Sequence, residues 1–522
     1  MKATEDLFQL IKSLTMHEKM YFKRYASFHV LGEQNNYLAL FDAINRQKHY
    51  DEKKLINHFV NHAFVRQFSV AKNRLYCQIL NSLRDYHHSV HSEVRAMLHN
   101  AEILYEKELF GQSHKVIVKA KQIAREHEMH YALMELFRHS EMNLAIKNSD
   151  ISWIQKILRE EADELSLLQN TIVYRNNYFQ IGAHHYLHGT TRNIKHLRKS
   201  DSYRIKKIMR SPFLLNENKA KTFEAKLRFH ATHGFYCRII NDKRGLYLST
   251  KNIIAHFKKH PQKIRQAVSS FIGHLNNMLD TCTLNKKYNE IPFYLKEFES
   301  LTSLVKSSDE KTRLFFFTAI NRLNYYNVTG QFPIAVSSVV EINKQLGAHE
   351  HSINDFEKAM LFQTIALSYF GDGQYKNCIH WLNRIRNEFS LSVRPDFESF
   401  LRLFYIIVHY EAGNMDLVIP LIQSFYHYLK KKEQLHKFET VIIDFLRNEL
   451  PKTNPETSSG QKELIQAFQK LKKEIAPLAK DMYEKNVFDF FDYVSWLDSK
   501  IENRSFAEVV RQKAESLPPD FI

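Results

Sequence analysis

Apolar residues recur three and four positions apart along most of this chain, and the pattern breaks at short polar turns. Val116, Ala120, Ile123 and Ala124 stand at i, i+4, i+7 and i+8, a spacing that puts them on one face of a helix. Only 13 Gly and 11 Pro occur in 522 residues, and so few breakers predict an all-helical chain. One punctuation recurs: an aromatic-rich stretch, a turn containing Gly, then a second amphipathic stretch. It reads Tyr325-Tyr326-Asn327-Val328-Thr329-Gly330-Gln331-Phe332, then Tyr369-Phe370-Gly371-Asp372-Gly373-Gln374-Tyr375, then His409-Tyr410-Glu411-Ala412-Gly413-Asn414-Met415. Gly330, Gly373 and Gly413 are spaced by 43 and 40 residues, and a Lys287-Tyr288 turn begins 43 residues before Gly330. A fixed period of this size predicts stacked helical hairpins, because a single hairpin cannot bury its own apolar face.

The rhythm divides the chain. Residues 1–90 read as a small N-terminal helical domain of short pieces. Thr15-Met16-His17-Glu18 forms a capping box ahead of a helix carrying Tyr21, Phe22 and Tyr25. Shorter helices follow at Tyr37 to Asn45 and at Asp51 to His62, and Ser69 caps a longer one through Leu75, Ile79, Leu80 and Leu83. Residues 91–450 read as the repeat array. Its first hairpins are Val94 to Leu109, a turn at Gly111, Ser113 to Glu128, and a third helix from Tyr131. Ile151 to His188 continues them, and the clearest repeats run from about Ile264 to Glu433. Pro451 to Gly460 is a linker-like loop. Residues 461–522 supply C-terminal capping helices, with Phe488, Phe491 and Trp496 closing the last apolar face.

Charge adds the next fact. The chain is formally +17, and between Arg192 and Arg265 twenty basic residues face four acidic ones, Asp201, Glu217, Glu224 and Asp242. Nearly all of the net charge therefore sits in one segment, broken at Ser211-Pro212 and His260-Pro261. Localised charge of one sign points to an anionic partner. The start of the chain is acidic and leads into an amphipathic stretch, unlike an export signal. Its apolar runs are too short to span a bilayer. Cys77, Cys237, Cys282 and Cys378 are far apart and read as buried thiols in a reducing, cytoplasmic setting.

The repeats resemble the tetratricopeptide (TPR) superfamily, best at Ala366-Leu367-Ser368-Tyr369-Phe370-Gly371-Asp372-Gly373-Gln374-Tyr375 with Ile379 and Leu382 following. There the family has a small residue in its first helix, a Tyr near the end of that helix, a Gly-rich turn and an aliphatic second helix. The period here exceeds the usual one of about 34 residues, so the chain is TPR-like. The resemblance covers about Ser92 to Glu433. It implies a right-handed superhelix whose concave groove binds a protein or peptide, and it implies no activity. A short-helix domain ahead of such an array is also similar, in architecture, to bacterial regulators that join a DNA-binding domain to a peptide-sensing array. No recognition helix is assigned.

The expected fold is thus all-α, a TPR-like α-solenoid of antiparallel helical hairpins with a small N-terminal domain and a C-terminal capping helix pair. The expected function is a non-enzymatic scaffold for a protein or peptide, with groove contacts near Phe315–Tyr326 and Phe362–Tyr369. The alternative is a nucleic-acid-associated regulator using residues 192–265, with or without the N-terminal domain. Its candidate site is a stripe of Arg192, Lys195, Lys199, Lys206 and Arg210, which fall within about 60° of arc on a continuous helix. Tyr203 lies beside that stripe, and Ile194, Leu197, Ile205 and Ile208 lie opposite. Ser200-Asp201-Ser202 either continues that helix or ends it and caps the next. A solvated face, an acidic protein partner and nucleic acid all remain open for this stripe. The groups His87/His88/His91 and His184/His185/His188 have helical ligand spacing but no accompanying carboxylate or thiolate motif. No phosphate-binding, dinucleotide-binding or nucleophile-elbow motif is present, and Asp489/Asp492 reads as a solvated edge. No cofactor is expected.

Overall fold

A computed structural model describes residues 5–28, 36–144, 151–188, 199–349, 352–389, 395–432, 435–449, 458–481 and 484–517. Those residues are all-α, with no strand among them, and no described helix is long and apolar enough to cross a membrane. The chain forms two compact units, Met1–Leu168 and Gln169–Ile522.

The first unit holds two separate apolar cores. One runs from Leu7 to Ile79 and centres on Phe22, Phe41, Leu75 and Ile79; the other runs from Val94 to Ile157. Local capping agrees with the sequence at two helices. Thr15 Oγ1 accepts from the Glu18 N–H at 3.2 Å while the Thr15 N–H donates to Glu18 Oε2 at 2.7 Å. Asp51 Oδ1 accepts from the Lys54 N–H at 3.0 Å. Three expectations need correction. Ser69 does not cap the next helix, which begins at Phe68. Gly111 does not make the first array turn, because it lies inside the Phe110–Glu126 helix. The turn falls at Glu108, which takes the left-handed conformation with φ 63°. Cys77 is also exposed, unlike Cys237, Cys282 and Cys378, because it shares a helix with buried Leu75 and Ile79 but points away from them.

In the second unit, five helix pairs follow one another. They are Phe223–Ile240 with Lys243–Lys258, Val268–Leu284 with Ile291–Ser300, Ser308–Val328 with Phe332–His349, Asp355–Gly371 with Tyr375–Glu388, and Pro395–Glu411 with Met415–Lys431. Each helix packs on the next, and Val268–Leu284, Ser308–Val328 and Asp355–Gly371 also pack in succession. That packing is consistent with a helical repeat.

The same backbone device closes every first helix. Residues Asn241, Lys286, Gly330, Gly373 and Gly413 are all left-handed, with φ of 57°, 57°, 69°, 74° and 75°. In each turn the N–H of the next residue reaches back to the carbonyl five residues earlier: Asp242 to Cys237, Lys287 to Cys282, Gln331 to Tyr326, Gln374 to Tyr369 and Asn414 to His409, at 2.8–3.0 Å. This six-to-one bond satisfies a carbonyl that the helix end would otherwise strand. The repeat therefore includes two turns that carry no glycine. Ser211-Pro212 and His260-Pro261 break the chain as expected, each proline opening a short helix.

The residues after Lys437 do more than close the last pair. Phe491 meets Phe370, Phe404 and Phe506 at ring distances of 5.2–5.6 Å. Phe490 stacks on Phe400 at 5.1 Å. Asp489 pairs with Lys243 at 3.1 Å, and Trp496 Nε1 donates to Glu411 at 2.7 Å. One C-terminal segment thus touches the turn regions of several successive pairs, and its Phe468, Tyr493, Trp496 and Leu497 belong to the same core as Phe362 and Phe404.

Candidate functional site

The basic stripe is present in part. Arg192 and Lys195 lie outside the described residues. Lys199 opens a helix, Lys199–Met209, that runs unbroken through Ser200-Asp201-Ser202. Tyr203 (70% exposed), Lys206 and Arg210 face solvent, while Ile205 is buried and Ile208 packs with Tyr174, Leu214 and Ala225. Ile194 and Leu197 are outside the described residues. Spacing therefore assigned the faces of this helix correctly wherever they can be compared.

Three of the segment's four acids are engaged away from Lys206, Lys207 and Arg210. Glu217 lies 3.3 Å from His230, Glu224 pairs with Arg228 at 2.5 Å, and Asp242 caps a helix by accepting from the Gly245 N–H at 2.9 Å. Three cations instead find acids elsewhere in the unit: Arg238 with Asp280, Lys243 with Asp489, and Lys258 with Glu297. Lys206, Lys207 and Arg210 have no carboxylate partner among the described residues.

The two aromatic stretches differ. At Phe362–Tyr369 most side chains are core, with Leu367 and Tyr369 half-buried: Phe362 is 1% exposed and sits against Trp381 and Phe389. Phe370, just beyond, is covered by Phe491 and Phe506 of the C-terminal segment. At Phe315–Tyr326, Phe316 and Leu323 are buried, whereas Phe315, Phe317, Tyr325 and Tyr326 are half-buried.

A cavity of about 310 Å³ lies between the Tyr375–Glu388, Pro395–Glu411 and Met415–Lys431 helices. Leu382, Leu401, Ile406 and Phe425 give it an apolar floor, and Arg386, Glu398, Arg402 and Tyr405 give it a polar rim. Arg402 is held by Glu398 at 2.8 Å and lies 4.1 Å over the Tyr428 ring. Arg386 rests 4.9 Å over the Tyr405 ring and has no carboxylate partner among the described residues. Tyr405 is fixed from its other end, its hydroxyl donating to Asn383 Oδ1 at 3.0 Å. Next to Tyr405, at a ring distance of 4.5 Å, lies buried His409. Its Nδ1 is 3.0 Å from Asn414 Nδ2, and its Nε2 has no hydrogen-bond partner among the described residues. Burial, helped by the charge of Arg386, lowers the basicity of His409. Sequence reading missed this cavity. Its only local signal is Glu398 and Arg402 at i, i+4 on one helix, which marks a rim and not a cavity.

Several of the remaining candidates have structural partners. His87 pairs with Glu18 at 2.6 Å, and His185 stacks on Phe235 at 5.3 Å. Among the described residues no group of three His, Cys, Asp or Glu side chains is placed to hold a metal ion. Asp489 is bound to Lys243, and Asp492 both caps the Tyr493–Ile501 helix and pairs with Lys513 at 2.5 Å. No family model, no curated protein and no solved structure matches this chain, so the functional reading rests on its own geometry.

Proposed function

We propose that this chain is a non-catalytic interaction protein, a TPR-like α-solenoid that binds a segment of another protein. The observation that supports this best is the repetition of one turn geometry at Asn241, Lys286, Gly330, Gly373 and Gly413. Arrays built this way present extended surfaces in place of a single catalytic cleft. The stretch Phe362–Tyr369 is mostly buried in the array's own core, and Phe370 just beyond it is covered by Phe491 and Phe506, so the partner surface belongs elsewhere on the array. The half-buried aromatics at Phe315–Tyr326 and the arginine-rimmed cavity are two such surfaces. A peptide-display selection against the immobilised full chain tests the reading. Enriched peptides that share a pattern and bind at micromolar Kd support it; a selection that returns no pattern sinks it.

A second reading rests on a different observation, the exposed and uncompensated Tyr203, Lys206 and Arg210 face. It makes the chain a nucleic-acid-associated regulator, with cations on phosphates and Tyr203 stacking on a base. Anisotropy titrations with labelled single- and double-stranded oligonucleotides at two salt concentrations decide it. Salt-sensitive binding that is lost in the Lys206→Glu/Arg210→Glu double variant supports this reading. Absence of binding at low salt removes it.

A further inference from the structure

The geometry points to the cavity between the Tyr375–Glu388, Pro395–Glu411 and Met415–Lys431 helices as a docking site for an acidic peptide segment of another protein, whose aliphatic or aromatic side chain enters the cavity while a flanking carboxylate meets Arg386. This assignment rests on the interaction role proposed above and adds a location and a ligand chemistry to it.

The volume of about 310 Å³ suits a side chain or two, at the small end of the range for ligand pockets. The floor of Leu382, Leu401, Ile406 and Phe425 is buried and closely packed, so an entering apolar group meets preformed walls and little ordering cost is added. Leu421 and Phe389 are only half-buried at the cavity wall, and an occupant would cover them.

The charge requirement comes from the rim. Arg384 is taken by Glu388 at 2.8 Å and Arg402 by Glu398 at 2.8 Å. Arg386, on the same helix as Arg384, is exposed and has a ring beneath it and no acid beside it. A guanidinium stacked on a tyrosine keeps its outer N–H edge for a planar acceptor, and a carboxylate fits that edge with two parallel hydrogen bonds. The Glu398–Arg402 pair on the rim is already neutralised, so Arg386 sets the charge preference and disfavours a basic group beside it.

The test uses the full chain and a random peptide-display library, followed by fluorescein-labelled synthetic copies of the enriched peptides. The expected winners carry Asp or Glu next to Leu, Ile, Phe or Met. Their affinity should fall at least tenfold in Arg386→Glu and in Leu421→Lys, with each variant's thermal unfolding midpoint kept within a few degrees of the parent. A copy of the winning peptide with its acids changed to lysine should bind Arg386→Glu better than it binds the parent. Winners that bind both variants as well as the parent, or that lack acids, overturn the cavity assignment while leaving the interaction role standing. A library that yields no winners overturns both.

Discussion

Gly330 and Arg511, 181 residues apart, pack backbone to backbone: a β-carbon placed on Gly330 would fall 2.7 Å from the Arg511 nitrogen. The Arg511 guanidinium also donates to the Gly330 carbonyl at 3.3 Å. Gly330 is thus required twice, for its left-handed φ and for this contact. Gly373 and Gly413 share the φ but have open space around them. Changing either to alanine should cost only the left-handed strain, about 1–2 kcal/mol. Gly330→Ala should cost about 1–3 kcal/mol more, because the C-terminal helix must move. Urea unfolding of the three variants checks this; equal midpoints would show that the Arg511 contact carries no weight.

Glu411 ties the C-terminal segment to the array from inside. Its carboxylate is nearly buried, accepts from Trp496 Nε1 at 2.7 Å and is ion-paired to Lys500. Glu411→Ala would leave an indole N–H and an ammonium without an acceptor in a poorly solvated site, a loss of about 3 kcal/mol. Glu411→Gln keeps an acceptor for Trp496 and should lose less. Hydrogen exchange over 493–515 should rise in Glu411→Ala before that of 308–328 does. Uniform exchange across both stretches would mean that the pair does not anchor the segment.

Glu108 holds a left-handed φ of 63° on an exposed turn. A side chain there is strained, and glycine is not. Glu108→Gly should raise stability by about 0.5–1 kcal/mol, since the relief of strain exceeds the added unfolded-state entropy. A lower melting temperature in differential scanning fluorimetry would contradict this.

Burial depresses a set of histidines in the second unit. His185 and His274 are pulled down to about 4 by burial and by the charges of Arg238 and Arg228 respectively, and His230, His233 and His256 are lowered chiefly by burial. The unfolded chain, with histidines near about 6.5, then binds more protons than the folded one between those values. Stability from this set is fully present above pH about 6.5 and drains away as pH falls towards about 4. Carboxylates held low in the fold, such as Glu18 and Glu310, begin to contribute their own loss only below about 4.5. The melting temperature should therefore fall between pH 7 and 5, and His274→Phe should flatten that slope. A profile flat from pH 7 to 5 would rule the histidine set out as its cause.

Much of this molecule was settled by its sequence alone, and the reason is local. Glycine is the residue that enters the left-handed region without strain, so the turns at Gly330, Gly373 and Gly413 could be read directly. The three-and-four spacing put Ile205 inside and Tyr203, Lys206 and Arg210 outside, because helical periodicity is a property of neighbouring residues. The turns at Lys286 and Glu108 were not legible as left-handed positions. Their conformation is held by the six-to-one backbone bond and by helix packing, which override a residue's own preference. Gly111 misled for the same reason. The tertiary structure alone decided what covers Phe370 and Phe404. Many apolar faces in this chain are chemically alike, and only the path after Lys437 brings Phe491 and Phe506 onto these. It alone also formed the arginine-rimmed cavity, since three helices supply its wall and the space depends on how they cross.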